Sequence, residues 1–256
     1  MRRPIVFVTD YGRDDSYAAA LIGAAMRFGT DLRYIEGTHG VPPGNVLAGA
    51  YHLKALALAF DRSVVLCAVV DPGVGTTRRA IAIQVEDLLC VAPDNGLISY
   101  IWAEAPRDSR SAVMLDAPWD AAPTFHGRDV FAPAAAQLAT GTRLADAGEP
   151  ISDPTLLDEA FAERSVYSVQ GRVAVVDHFG NAITTVRASD IGGRSITRVA
   201  WSGGATTQSA STYGVIADGL AAIIGSAGHL EIAARGASAA SLGGPAAHAP
   251  VTVELA

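Results

Sequence analysis

The chain has 256 residues, 50% of them hydrophobic and only 18% charged, with a net charge of −7. That composition supports a large core in one or two domains and argues against nucleic acid as a partner, because phosphate binding needs clustered Lys and Arg. No apolar stretch approaches the roughly 18 residues needed to span a bilayer, so no membrane association is expected.

In chain order, the apolar run at residues 5–9 predicts a strand ending at Asp10, and this start leaves no room for a signal peptide, so a cytoplasmic protein is expected. Residues 15–28 have a helical pattern, with Ala19, Ile22, Gly23 and Met26 on one face and the acidic Asp14 and Asp15 at its start. Residues 32–35 read as a second strand, and Pro42-Pro43-Gly44 breaks the chain before a helix over 46–60. The run 64–70 is a third strand that delivers Asp71. Strands at 80–85 and 88–92 flank the acidic turn Glu86-Asp87. Pro93-Asp94-Asn95-Gly96 turns into a helix near 97–102, followed by a strand at 112–115 and an Ala-rich helix over 129–140. Strands separated by helices imply an N-terminal α/β domain over residues 1–150, with a largely parallel sheet covered on both faces.

Turn signals and mixed charge mark residues 151–166 as a linker. From 167 to 256 the pattern is strand-like, with runs at 167–176, 182–186, 196–201, 215–224 and 229–234 and a hairpin loop over 202–212. This predicts a smaller antiparallel, barrel-like β domain. The two cysteines, Cys67 and Cys90, lie in strand-like runs and read as buried core. No CxxC or His/Cys cluster of metal spacing occurs, so no metal ligand set is assigned.

Four polar constellations fall at predicted strand ends. The most informative is Asp71-Pro-Gly-Val-Gly-Thr-Thr-Arg78-Arg79, a carboxylate at the carboxyl end of a buried strand with two guanidinium groups within a short loop's reach. In α/β proteins that strand end is where ligands bind; the bland reading is a surface turn with a solvated ion pair. Thr9-Asp10-Tyr11-Gly12-Arg13-Asp14-Asp15-Ser16 carries three carboxylates suited to a cation or a ribose diol, while Asp15 could equally cap the helix. His126, between Phe125 and the Gly127-Arg128-Asp129 helix start, is a functional candidate. Asp177-His178-Phe179-Gly180-Asn181 is either a plain hairpin turn or part of a site.

Taken together, TDYGRDDS, VVDPGVGTTRR, APDNGL, FHGRDVFAP, DHFGN and GHLEIA, in this order from about residue 4 to about residue 242, resemble the S-adenosylmethionine hydroxide adenosyltransferases, relatives of the fluorinase and chlorinase. The resemblance implies an α/β domain, a C-terminal β-barrel domain and a homotrimer with active sites between subunits. It also implies hydrolysis of S-adenosyl-L-methionine to adenosine and L-methionine, with no cofactor. By that resemblance Asp71, Arg78 and His126 hold and polarise the attacking water, with Arg78 rather than Arg79 in the arginine position, so that little is expected of Arg79→Ala. Asp10 would bind the ribose hydroxyls, while Asp14, Ser16, Asp177 and Ser226 would surround the methionine moiety. Asn181 would contact adenine, Tyr213 would stack on it, and Gly236 belongs to the same substrate-binding set. Val74 and Gly127 stand where the fluorinase has hydroxyl side chains, which makes halide chemistry unexpected, and Ala227 replaces an arginine near the methionine carboxylate. Two rival readings are a nucleoside hydrolase using the Thr9–Ser16 carboxylates and a non-catalytic sensor of adenosine or S-adenosylmethionine.

Overall fold

The computed structural model describes residues 2–60 and 63–256, and the chain divides into two compact units, Met1–Leu157 and Asp158–Ala256.

The first unit is built on a seven-stranded mixed sheet. Its strands are β1 (Ile5–Thr9), β2 (Tyr34–Thr38), β3 (Val65–Val69), β4 (Ala80–Val85), β5 (Leu88–Pro93), β6 (Arg110–Leu115) and β7 (Glu149–Ile151), in the spatial order β2-β1-β3-β5-β4-β6-β7. β2, β1, β3 and β5 pair in parallel, whereas β4, β6 and β7 follow β5 in the sheet, each antiparallel to the strand before it. The acidic turn at Glu86-Asp87 joins β4 and β5 as a hairpin, which is why the direction reverses there. β1 and β3 are buried along their whole length, as central parallel strands must be.

The helices are α1 (Tyr17–Met26), α2 (Val46–Ala59), α3 (Ser99–Ala103) and α4 (Ala132–Thr140). α2 starts where expected, because the Asn45 side chain accepts from the Ala48 N–H at 3.0 Å and satisfies an otherwise orphan donor. α1 begins at Ser16 with no side-chain cap, so Asp15 does not cap it. The helix expected over 129–140 is preceded by a π-helical turn, Gly127–Phe131, and Pro133 sits in the first turn of α4, where its missing N–H costs nothing. One core cluster gathers Phe7, Leu21, Cys67, Val91, Phe131 and Leu138 from the sheet, α1 and α4. No helix among the described residues is long and apolar enough to cross a membrane.

The named strands of the second unit pair antiparallel, and among the described residues its one α-helix is the short α5 (Ala188–Ile191). Its strands are β8 (Glu163–Arg164), β9 (Ser168–Val176), β10 (Ala182–Arg187), β11 (Ile196–Trp201), β12 (Gly204–Thr206), β13 (Leu220–Ile224), β14 (His229–Ala234) and β15 (Pro250–Leu255), in the order β12-β11-β15-β9-β10-β14-β13, with β8 on β9. The edges approach each other: Ala222 N–H donates to the Gln208 carbonyl at 2.9 Å and Ala210 N–H to the Ala222 carbonyl at 3.0 Å. The sheet is therefore nearly closed and barrel-like. The strand expected over 215–224 is shorter: 213–215 form a 3-10 turn, and the strand itself begins at Leu220. β15, which lies between β11 and β9, had no counterpart among the expected strands. Residues 151–166 carry the end of β7, a bridge from Leu156 to Gly96, and β8.

Candidate active site

β1 and β3 are parallel neighbours with Thr9 opposite Val69, so Asp10 and Asp71 leave the sheet side by side at its carboxyl edge. Thr9 is pinned there by its hydroxyl, 2.7 Å from His39 Nδ1 beyond the end of β2. Asp10 Oδ2 accepts from the Gly44 N–H at 2.8 Å, which ties the carboxylate to the Pro42-Pro43-Gly44 turn.

The glycine turn after Asp71 brings Arg78 back onto it. Gly75 has φ +78°, and a Cβ there would stand 2.6 Å from the Pro123 carbonyl oxygen, so this position needs glycine on two counts. Arg78 Nε lies 3.0 Å from both Asp71 oxygens, and its Nη2 donates to Oδ2 as well. The same Nη2 is 3.0 Å from His126 Nδ1, and the guanidinium lies over the Phe131 ring at 5.1 Å. Both members of the ion pair are nearly buried, with 10% and 5% of their side chains exposed, so the pair is not solvated although the turn at residues 75–77 is itself exposed. Arg79 turns the other way. It donates to Asp94 at 2.6 Å and Asp153 at 2.9 Å, and Asp94 also accepts from the Thr155 N–H at 2.7 Å.

His126 reaches the pair from the loop before the π-helical turn. Asp129 fixes that loop by accepting from the Ala122 N–H at 2.9 Å and from Arg128 at 2.6 Å. Burial, then the Arg78 charge, push the His126 ring below its ordinary pKa, only partly offset by Asp71 and Asp129. Arginine can only donate, so His126 Nδ1 must accept and the neutral ring carries its proton on Nε2.

Asp10, Asp71 and His126 line one cavity of about 230 Å³ with Val74, Gly127 and an aromatic wall. In that wall the Phe125 ring packs edge-on against Tyr11 and Tyr17, at 5.8 and 5.5 Å. The Tyr11 hydroxyl is held well above its usual pKa by burial, followed by Cys67, Asp10 and Asp71, with Arg78 opposing.

The second unit has its own hollow, of about 550 Å³, bordered by Asp177, Phe179, Asn181, Tyr213 and Gly236. Asp177 organises the β9–β10 turn: Oδ1 accepts from the Phe179 and Asn181 N–H groups at 2.9 and 2.8 Å, and Oδ2 from the Asn181 amide at 2.9 Å. Tyr213 donates to Glu231 Oε2 at 2.6 Å. Burial raises the Glu231 carboxyl pKa, with Asp177 adding to it and the Tyr213 bond opposing.

The anticipated residues thus fall into two groups. Asp10, Asp71, Arg78 and His126 converge in the first unit, and Asp177, Asn181, Tyr213 and Gly236 in the second. Asp14 and Ser16 are exposed at the start of α1 and Ser226 is exposed in the β13–β14 turn, and none borders either cavity. Two participants carried no assigned role from sequence: Tyr11, inside the first motif, and Glu231, inside GHLEIA. Among the described residues no group of three or more His, Cys, Asp and Glu side chains could hold a metal ion.

Two family models match the chain, the SAM hydroxide adenosyltransferase N-terminal domain over residues 5–148 and its C-terminal domain over residues 171–252. The chain belongs to the SAM hydroxide adenosyltransferase family. A relative from Thermus thermophilus named (R)-S-adenosyl-L-methionine hydrolase is 37% identical, covering 94% of this chain and 96% of its own. A protein of the same name from Salinispora tropica is 46% identical over 183 residues, 69% of each chain. An uncharacterized conserved protein from Thermotoga maritima has the same fold, with a TM-score of 0.87 and 29% identity over 97% of this chain and 99% of its own. The adenosyltransferase family therefore spans both units, each with its own hollow.

Proposed function

We propose that this protein hydrolyses S-adenosyl-L-methionine to adenosine and L-methionine. The observation that carries the reading is the Arg78 guanidinium, which grips the Asp71 carboxylate and reaches His126 Nδ1 at the wall of a cavity large enough for a water and a reacting carbon. Water attacks the 5′ carbon, a C–O bond forms, and the C–S bond breaks with its electron pair passing to sulfur. The sulfonium leaves as a neutral thioether, so the reaction calls for neither a general acid nor a Lewis acid. The protein has to position one water and draw off its proton.

In this reading Asp71 accepts a hydrogen from the water, Arg78 holds the carboxylate in place, and neutral His126 donates from Nε2 to the oxygen as it attacks. Asp10 takes the ribose hydroxyls, Asn181 and Tyr213 the adenine, and Asp14, Ser16, Asp177 and Ser226 the methionine end, with Gly236 lining the nucleoside site. The chain, with the two units as its domains, acts in this reading as a homotrimer in the cytoplasm. The names of the relatives and the family membership of both halves support the substrate.

The test is incubation of purified protein with S-adenosylmethionine in oxygen-18 water, followed by chromatography and mass spectrometry. Adenosine labelled at its 5′ hydroxyl, together with methionine, is expected. Free adenine as the product, or substrate bound and left intact, would overturn the reading.

A further inference from the structure

The Tyr11 hydroxyl has no assigned part in the water site, yet the fold puts it there. Tyr11 follows Asp10 directly, and its ring is held edge-on by Phe125 and tilted against Tyr17 at 6.2 Å. Its hydroxyl has no hydrogen-bond partner among the described residues, although it borders the cavity shared by Asp71 and His126. The Tyr11 side chain is only partly buried, so its hydroxyl is open to a water in the cavity.

Gly127 explains how it reaches that place. A Cβ on Gly127 would stand 2.0 Å from the Tyr11 oxygen and 3.1 Å from its Cζ. The tyrosine hydroxyl thus occupies the volume that a side chain next to His126 would otherwise fill. The two positions are sterically one unit, 116 residues apart in the chain.

A water poised for attack has two hydrogens to donate and two lone pairs, one of which must stay free for the carbon. Asp71 takes one hydrogen. His126, whose Nδ1 already accepts from Arg78, can only donate from Nε2 and so occupies one lone pair. The second hydrogen lacks an acceptor among these three groups. Left undirected, it would let the water rotate and turn its free lone pair away from the carbon.

We propose that the Tyr11 oxygen accepts this second hydrogen, which makes Tyr11 a catalytic residue that orients the attacking water, and that Gly127 is the position that admits it. The proposal rests on the hydrolase reading above. Because its pKa is raised, the tyrosine stays protonated and does not compete with Asp71 as a base.

Tyr11→Phe, Gly127→Ser and the double variant separate this role from packing. The phenylalanine keeps the edge-on contacts and loses only the oxygen. Its single-turnover rate is expected to fall about 10-fold, the worth of one hydrogen bond to the reacting atom, with calorimetric affinity within about twofold of wild type. Gly127→Ser alone is expected to slow the reaction by forcing the tyrosine out. In the double variant the serine hydroxyl takes the vacated space, and the rate is expected to exceed that of Gly127→Ser. A Tyr11→Phe protein that turns over at the wild-type rate, or that loses affinity as much as rate, overturns the proposal alone. So does a double variant slower than both single ones. A wild-type protein that leaves S-adenosylmethionine intact overturns the hydrolase reading and this proposal with it.

Discussion

His126 Nδ1 lies 3.0 Å from Arg78 Nη2, and this contact decides which ring nitrogen of the neutral histidine carries the proton. A guanidinium has no lone pair to offer, so the ring faces it as an acceptor and a protonated imidazolium would be repelled. The ring's pKa is lowered from the ordinary 6.5 chiefly by burial and then by Arg78. The acid limb of the single-turnover rate is therefore expected below that value, with activity intact while the ring stays neutral and lost once it protonates. The linked stability runs the same way. Below pH 6.5 the unfolded chain takes up the proton first, so this group's contribution declines as the pH falls towards the folded-state pKa. A rate profile whose histidine limb lies above 6.5 would contradict the assigned tautomer.

Asp71→Asn and Arg78→Ala are expected to lower the single-turnover rate by about 10²–10³ each, the usual loss for one positioned electrostatic contact. Substrate affinity should change little, because both groups act on the water. Calorimetric binding set against quenched-flow rates checks this. Equal losses in affinity and rate would place these residues on the nucleoside instead.

Asp10→Asn is expected to behave in the opposite way. Its carboxylate accepts from the Gly44 N–H and is proposed to accept from both ribose hydroxyls, charge-assisted bonds worth roughly 1.5–3 kcal/mol each. The amide should weaken affinity for S-adenosylmethionine and adenosine alike, with a smaller effect on the rate at saturation. Titration with adenosine alone isolates the ribose contribution.

Arg79→Ala is expected to cost stability. The sequence suggests a minor role for this residue, yet its guanidinium pairs with Asp94, whose side chain is 2% exposed, and braces Asp153. Removing it leaves a buried carboxylate held only by the Thr155 N–H among the described residues, a loss of about 1–3 kcal/mol in denaturant unfolding. An unchanged midpoint would show that the brace carries no net stability.

Gly75→Ala tests the turn that joins the two halves of the ion pair. The new Cβ meets the Pro123 carbonyl at 2.6 Å on a backbone at φ +78°, where an L-residue costs roughly 1–2 kcal/mol before the clash is counted. Both the melting temperature and the rate are expected to fall, the rate because the turn sets where Arg78 meets Asp71. Wild-type values for both would mean that the loop relaxes without moving the arginine.

By itself the sequence determined what local rules govern. Apolar runs with turn residues between them located β1, β3, β4 and β5, and the Pro42-Pro43-Gly44 break located the start of α2. Asp10 and Asp71 were legible as site residues because they end buried strands of an α/β pattern. The order of the six motifs carried the family. Strand direction beyond β5 and the insertion of β15 between β11 and β9 were decided only by tertiary structure, since an apolar run carries no record of its partner. So was the division of labour between Arg78 and Arg79. Adjacent residues entering a strand point to opposite sides, and only the packed loops reveal which side holds Asp71 and which holds Asp94. The placement of the Tyr11 oxygen in the space beside Gly127 belongs to the same class. It joins distant segments through the packing of α1 and the π-helical turn onto the sheet, a contact set by close packing in three dimensions and invisible to periodicity along the chain.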